Sequence, residues 1–542
     1  VLVLALAVFF PLVAHVLELR SSNRGAAPPV IHTFHVSPTG DDARDGSSPA
    51  TAWRSLDKAA AFAFKPGNKL LLEGGAHFRG SLTFGSGEAG DAANPVVVST
   101  YGAGRATIEA AGGAGIRVHN TAGIEIRDLV IVGGGADNRT TAGIEFYSDV
   151  TDGRTLDHVD ITGVEVSGFK NGIQIAAGPK STGFRGVRIR AANLHGNTEN
   201  GLISFGPRFD AAAPRYAHED VVVSEVEAHH NPGDPTNHFS NTGSGIALGS
   251  VRGGRIERSS AHDNGSSAAA PEGPVGMWTW DSTAVVMERN VSFRNHTAGQ
   301  KDGGGFDMDQ NVSSSVLQYN LSYDNDGAGY LLYSGQSNAA HTDNVVRFNI
   351  SINDARKLPE YAGIHLAGSV NNAEVYHNTV VMEAKDWAPA AIRLQKYFGG
   401  LSNVVLRNNL VVSGGTNLVL ADEFSTADVL LQGNNFFAES GSWAVSWAGT
   451  SYVNLEDWRA ATGQERLGAR VGGSSADPRF GRAGRSGSPA QRAKALTPRR
   501  DSPLAGRALN LRSLFDVDPG PVDFLGRPLV GAGTVGAIQP AA

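Results

Sequence analysis

The chain has 542 residues, with 46 Lys+Arg against 53 Asp+Glu and no Cys. A hydrophobic content of 41% excludes a disordered chain, and the missing Cys excludes disulfide frameworks and Cys-ligated metal sites. A net charge of −7, spread along the chain, excludes the basic face that nucleic acid requires.

Val1–Ala14 is an uncharged apolar run, followed by His15, Glu18 and the polar stretches Ser21–Asn23 and Gly25–Pro29. A membrane span needs about 20 apolar residues, so the run suits the apolar region of an export signal or a retained anchor. Residues 1–29 are therefore expected to be a signal peptide or anchor with linker, and the only part to touch a membrane if uncleaved. The rest is expected to work outside the cytoplasm as a secreted, periplasmic or surface protein and a monomer, which the lack of Cys permits.

A repeat of about 29 residues organises the middle of the chain. Gly followed by alternating apolar residues starts at Gly143, Gly172, Gly201, Gly245, Gly276, Gly305, Gly329 and Gly363, and continues at Ala391 and Asn417. A second strand carries Asn290, Asn320, Asn349, Asn378 and Asn409 at spacings of 30, 29, 29 and 31. Short period-2 strands punctuated by Gly and Asn read as coils of a solenoid, each stacked about 4.8 Å from the next. Asn is expected at the turns, in a left-handed conformation, with its amide bonded to the neighbouring coil.

This pattern resembles the right-handed parallel β-helix superfamily of exported carbohydrate-active proteins (pectate lyase-like). His35–Ala59 (HVSPTGDDARDGSSPATAWRSLDKA) looks like the lead-in of such proteins, with a capping helix near Ser55–Phe64 before Leu70–Gly75. DPRF (Asp477–Phe480), SPLAG (Ser502–Gly506) and VGAIQ (Val535–Gln539) look like their usual exit. The expected fold is all-β, a single right-handed parallel β-helix with a short N-terminal capping helix and an irregular C-terminal tail. Residues 30–94 would form the cap and first coils, 95–440 the β-helix, and 441–542 the C-terminal cap and tail, with Gly481–Arg500 loose.

Strand parity sorts the side chains. Counting each repeat from its Gly, positions 1 and 3 are nearly all apolar (Met277, Phe306 and Met308 among them) and point inward. Positions 2 and 4 then point outward, and they include Trp278, Trp280, Asp307, Asp309, Tyr333, His365 and Arg393. Aromatic faces, carboxylates and Arg in one strip suit sugar binding. The plain alternative is that the two Trp form a satellite cluster under the long loops before Gly245 and Gly276. His238 on such a loop, and Lys301 on the turn, complete the expected substrate-binding set.

Carboxylates concentrate around KDGGGFDMD (Lys301–Asp309). Glycosidic hydrolysis needs an acid and a base or nucleophile. Asp307 and Asp309 are expected to be that pair, supported by Asp302 or Asp281. Two residues along a strand separate them by about 6.6 Å, near the lower end of the inverting range of roughly 6.5–9.5 Å. Asp324 and Asp326 on the next turn could instead hold Ca²⁺. DGGGF…YDNDGAGYLLY looks like family 9 pectate lyases, which implies a calcium-dependent elimination; Leu331 departs from that pattern where a further acidic ligand is expected. The expected function is thus an exported enzyme cleaving a polysaccharide, an inverting hydrolase first. A Ca²⁺-dependent lyase or uronate epimerase comes second, and a non-catalytic glycan-binding or adhesin β-helix third.

Overall fold

The computed structural model describes residues 32–540 apart from 111, 135, 384–388 and 482–485. The segment 1–29 expected to be a signal or anchor lies outside them, and no described helix is long and apolar enough to cross a membrane. Short runs of Val, Ile and Leu at period 2 form three long sheets of 14, 14 and 13 strands, in which every strand pairs with the equivalent strand one coil away. The chain is a single right-handed parallel β-helix. Its last strand departs from this order, as Thr450–Tyr452 folds back antiparallel on Val445–Trp447.

The repeat frame sets the register. Leu202 pairs with Ile246, Met277 with Phe306, and Tyr330 with Ile364, all buried in the central core. The frame slips once: Ile392 pairs with Val419, so the coil expected from Asn417 begins at Leu418. The repeat glycines supply space, not left-handed backbone. A Cβ on Gly305 would sit 2.2 Å from Ser322 Oγ of the adjacent sheet.

The asparagines form two internal ladders. Asn349 Oδ1 accepts from the Asn320 backbone N–H (2.9 Å) and Nδ2 (3.0 Å), while Asn349 Nδ2 donates to Leu317 O (2.9 Å) and Asn378 Oδ1 (3.1 Å). Asn290, Asn320, Asn349, Asn378, Asn409 and Asn434 repeat this pattern. The series ends on the buried carboxyl of Glu465, which accepts from Asn434 Nδ2 at 2.6 Å. A parallel ladder runs from Asn197 through Asn231, Asn264, Asn295 and Asn325 to buried Asp354, whose Oδ1 accepts from Asn325 at 2.8 Å. The expected cross-coil bond is present, but the left-handed residue is the one before each Asn: Arg289, Tyr319, Phe348, His377 and Asn408 have φ near +50°. Burying an amide with all its partners made offsets that local backbone cost.

Both ends are covered, as a solenoid requires. The N-terminal helix is Leu56–Ala60, shorter than expected, and Ser55 Oγ caps it by accepting from Lys58 N–H at 3.1 Å. The tail corrects an expectation: within Gly481–Arg500, Pro489–Ala495 is a helix closed by a capping box at Ser488. Its Ala493 and Leu496, with Leu504, Val535 and Ile538 further on, cover Leu321, Ile350, Val381 and Leu410 on one flank of the solenoid. That burial holds the segment in place.

Candidate active site

A cavity of about 350 Å³ lies on the outward face of the coils that contain Gly304–Met308, Tyr330–Ser334, Ala362–Gly368 and Ala390–Gln395. Strand residues form its floor, and the turns before and after these strands form its walls. Asp302, Asp307, Asp309, Lys301, Tyr333 and His365 from the expected set line it.

Asp307 is flanked in register by Trp278 on one coil and Leu331 on the next. Between these apolar neighbours it is only 4% exposed, and its Oδ1 has no hydrogen-bond partner. Burial first, then the charges of Asp309 and Asp302, push its carboxyl well above the usual carboxylate range. Asp309 follows at the end of the strand. Its N–H donates to Thr279 O (2.9 Å), and its Oδ1 accepts from Gln310 N–H (2.7 Å). Burial is the main cause that raises it to about 8, with Asp302, Glu272 and Asp281 adding to the effect. Two carboxyls placed so cannot both ionise at neutral pH.

Asp302 has left-handed backbone (φ +56°). Its Oδ1 accepts from the Tyr361 hydroxyl (2.8 Å) and its Oδ2 from Gly273 N–H (3.0 Å), so it joins turns of three coils. Both carboxylate oxygens are occupied, and burial raises its pKa. The Tyr361 ring meets His365 edge-on at 5.4 Å. His365 is 4% exposed; its Nε2 lies 3.1 Å from Gln395 Oε1, and its Nδ1 has no partner. With Nε2–H assigned as the donor to Gln395, Nδ1 is an acceptor. Burial and then the Arg393 charge hold the imidazole neutral, with its pKa lowered to about 3. Tyr333 is pushed up to about 12, by burial first and then by Asp309, Glu272, Asp302 and Asp307.

Other expected residues lie elsewhere. Trp278 and Trp280 do not line the cavity. Their rings stack at 4.5 Å, Trp278 Nε1 donates to Ser244 Oγ (3.1 Å), and the pair packs with Ala247 and Val275 as a satellite cluster. The Trp280 ring occupies the space beside Gly249, where a Cβ would meet it at 2.3 Å. Asp281 is also outside the lining and accepts from Asn311 Nδ2 at 2.6 Å. Arg393 neighbours His365 on the next coil without lining the cavity, and His238 is exposed on its loop.

The turn acids expected to bind Ca²⁺ already have side-chain partners. Asp324 lies 3.2 Å from Arg356 and 3.2 Å from Arg492 of the tail helix, and Asp326 lies 3.4 Å from His296. Guanidiniums neutralise Asp324 where a hard cation would have to enter. Ligand atoms of His230, His262 and Asp263 also lie within 4.8 Å of one another, but Arg294 engages both oxygens of Asp263 at 2.9 and 2.7 Å.

The lining also takes in Tyr361, Glu272, Glu360, Gln395, Tyr397 and Phe398, none of which is in the expected site set. Gln395 stands at outward position 4 of its repeat, and Tyr361 lies two residues before a repeat Gly. The others sit on turns, where parity says nothing.

The site thus sits on the coils of a right-handed β-helix. The family model described as right handed beta helix region matches residues 152–380. Among solved structures, the chain is similar to GH136 lacto-N-biosidase from Eubacterium ramulus (14% identity, TM-score 0.42, covering 69% of this chain and 67% of that one). It is also similar to pectate lyase Pel9A (14%, TM-score 0.42, 95% and 98%) and to the periplasmic alginate epimerase AlgG (12%, TM-score 0.39, 68% and 77%). At these identities the likeness extends to the fold alone. A search of curated proteins finds no match.

Proposed function

We propose that this protein is a polysaccharide-active enzyme that hydrolyses glycosidic bonds with inversion. The observation that carries the reading is Asp307: a buried carboxyl facing a cavity, with one oxygen unpartnered and Asp309 two residues on, just past the end of the strand. Asp307, which keeps its proton, is the general acid and protonates the glycosidic oxygen as that bond breaks. Asp309, ionised, takes a proton from a water that attacks the anomeric carbon from the opposite face. Two residues of extended chain span about 6.6 Å, room for that water within the inverting range of roughly 6.5–9.5 Å. Acid–base assistance of this kind supplies about 10²–10⁴ in rate.

Asp302 positions Tyr361, and through it the edge of His365. His365 Nδ1 is an acceptor for a sugar hydroxyl, and Tyr333, which keeps its proton, is a donor. Tyr397 and Phe398 offer faces for a pyranose ring at the far rim.

The test is to incubate the protein with neutral, amino and uronate polysaccharides, with Ca²⁺ or chelator. Reducing ends and absorbance of unsaturated products are read together, with NMR of the first anomer released. New reducing ends of inverted configuration, lost in Asp307→Asn and Asp309→Asn, are expected. Calcium-dependent unsaturated products would transfer the site to a lyase, with Lys301 as the nearest base. Binding without product would leave a glycan-binding solenoid.

A further inference from the structure

Hydrolysis by inversion needs two carboxyls, yet five face this cavity: Glu272, Asp302, Asp307, Asp309 and Glu360. Asp302 is accounted for by its bonds to Tyr361 and Gly273. Glu272 and Glu360 have no such role. They come from the turns before two different strands, both are exposed, and no described side chain pairs with either. Lys301 is the single cationic side chain among the described residues of the lining. Two further groups mark the cavity as a place for a ligand: Asp307 Oδ1 and His365 Nδ1 are both unpartnered, on side chains 4% exposed.

A low-dielectric cleft lined by one sign of charge concentrates ligands of the other sign and repels its own. A uronate carboxylate entering here would meet several like charges with one Lys to answer them, a juxtaposition that suppresses binding. An ammonium would meet Glu272 and Glu360 at the rim without displacing any partner they now hold. The opposite rim (Tyr397, Phe398, Gln395) is uncharged and aromatic, suited to the C–H face of a ring.

From this arrangement we infer that the cleft binds a glycan of hexosamine units carrying free amino groups, held by Glu272 and Glu360, and excludes polyuronates. The inference rests on the hydrolase reading and names the substrate class for that same cavity.

The experiment is calorimetric binding of three hexasaccharide probes, of glucosamine, N-acetylglucosamine and galacturonic acid, at low and high salt. A parallel reducing-end assay runs on the same probes. The amino probe is expected to bind at least tenfold more tightly than the N-acetyl probe, and the difference should collapse in salt, as a charge effect requires. The galacturonate probe should not bind. In the Glu272→Gln, Glu360→Gln double variant, preference for the amino probe should fall below threefold, while retained N-acetyl binding shows that the cleft is folded. Equal binding of amino and N-acetyl probes, or preference for galacturonate, overturns the inference. Cleavage of the N-acetyl probe with no amino preference overturns it and leaves the hydrolase standing. If no probe is bound or cleaved, both readings fail for hexosamine glycans.

Discussion

Asp309→Asn should remove activity and stabilise the fold, and the second effect should depend on pH. A carboxyl raised to about 8 from an ordinary 3.8 holds its proton in the folded state over a range where the unfolded chain has lost it. Its stabilising contribution is complete below about pH 4 and is lost as pH rises from there to about 8, by at most about 1.4 kcal/mol for each pH unit. At pH 7 the ceiling is about 4 kcal/mol; water in an open cavity screens this to roughly 2. Asn carries no charge, keeps an oxygen to accept from Gln310 N–H, and escapes the loss. For a folded body of roughly 500 residues, 2 kcal/mol is about 2 °C in melting temperature, from about 2.1 cal/mol/K of unfolding entropy per residue. The assay is thermal unfolding of both proteins at pH 4 and pH 7.5, with unfolding half-lives at a fixed temperature because large chains often unfold irreversibly. Near-equality at pH 4 and a higher midpoint for the variant at pH 7.5 are expected, with at least a hundredfold loss of rate. A variant no more stable than wild type at pH 7.5 would refute the assignment of Asp309 as a strained, functional carboxyl.

Activity itself should fall as pH drops below about 8, where Asp309 takes up its proton; a pH–rate profile with an acidic optimum contradicts the roles assigned. Trp278→Ala should cost about 3 kcal/mol of stability by emptying the satellite cluster, yet leave KM within twofold; a tenfold rise in KM would restore the Trp pair as a sugar platform. Tyr361→Phe leaves Asp302 Oδ1 unpaired, and a kcat about tenfold lower is expected with little change in melting temperature. Asn349→Ala strips the acceptor from Asn320 N–H, which costs about 3 kcal/mol and should speed hydrogen exchange at that amide; unchanged exchange would show the ladder to be dispensable.

The solenoid was legible because its signal is local and repeated: parity, Gly spacing and Asn spacing each report one coil stacked on the next. The acids of the cavity floor were legible for the same reason, since Asp307 and Asp309 stand two and four residues after the repeat Gly305. Parity says which way a side chain leaves the strand and nothing about what lies over it. Trp278 leaves outward and is then covered, closed over by its neighbour Trp280 and by Ser244 one coil back. The pairing of Asp324 was not legible, because its partner Arg492 comes from a helix in the tail, far beyond any repeat. Tyr361, Glu272 and Glu360 belong to turns of irregular length, where no period carries information.

The two asparagine ladders have a direction. Each amide hands a hydrogen bond to the next coil and receives one from the coil before, so a ladder can be lengthened by another Asn but closed only by a group that accepts and has nothing to hand on. Asp354 and Glu465 are such groups. They act as punctuation in a grammar of coils. A duplicated coil inserted upstream reads through without error, whereas one appended after Glu465 finds no amide offering a bond. Growth of this solenoid by internal duplication is therefore open in the middle and shut at its C-terminal side. Because Glu465 follows the Leu455–Thr462 helix, the cap itself carries the stop for the longer ladder.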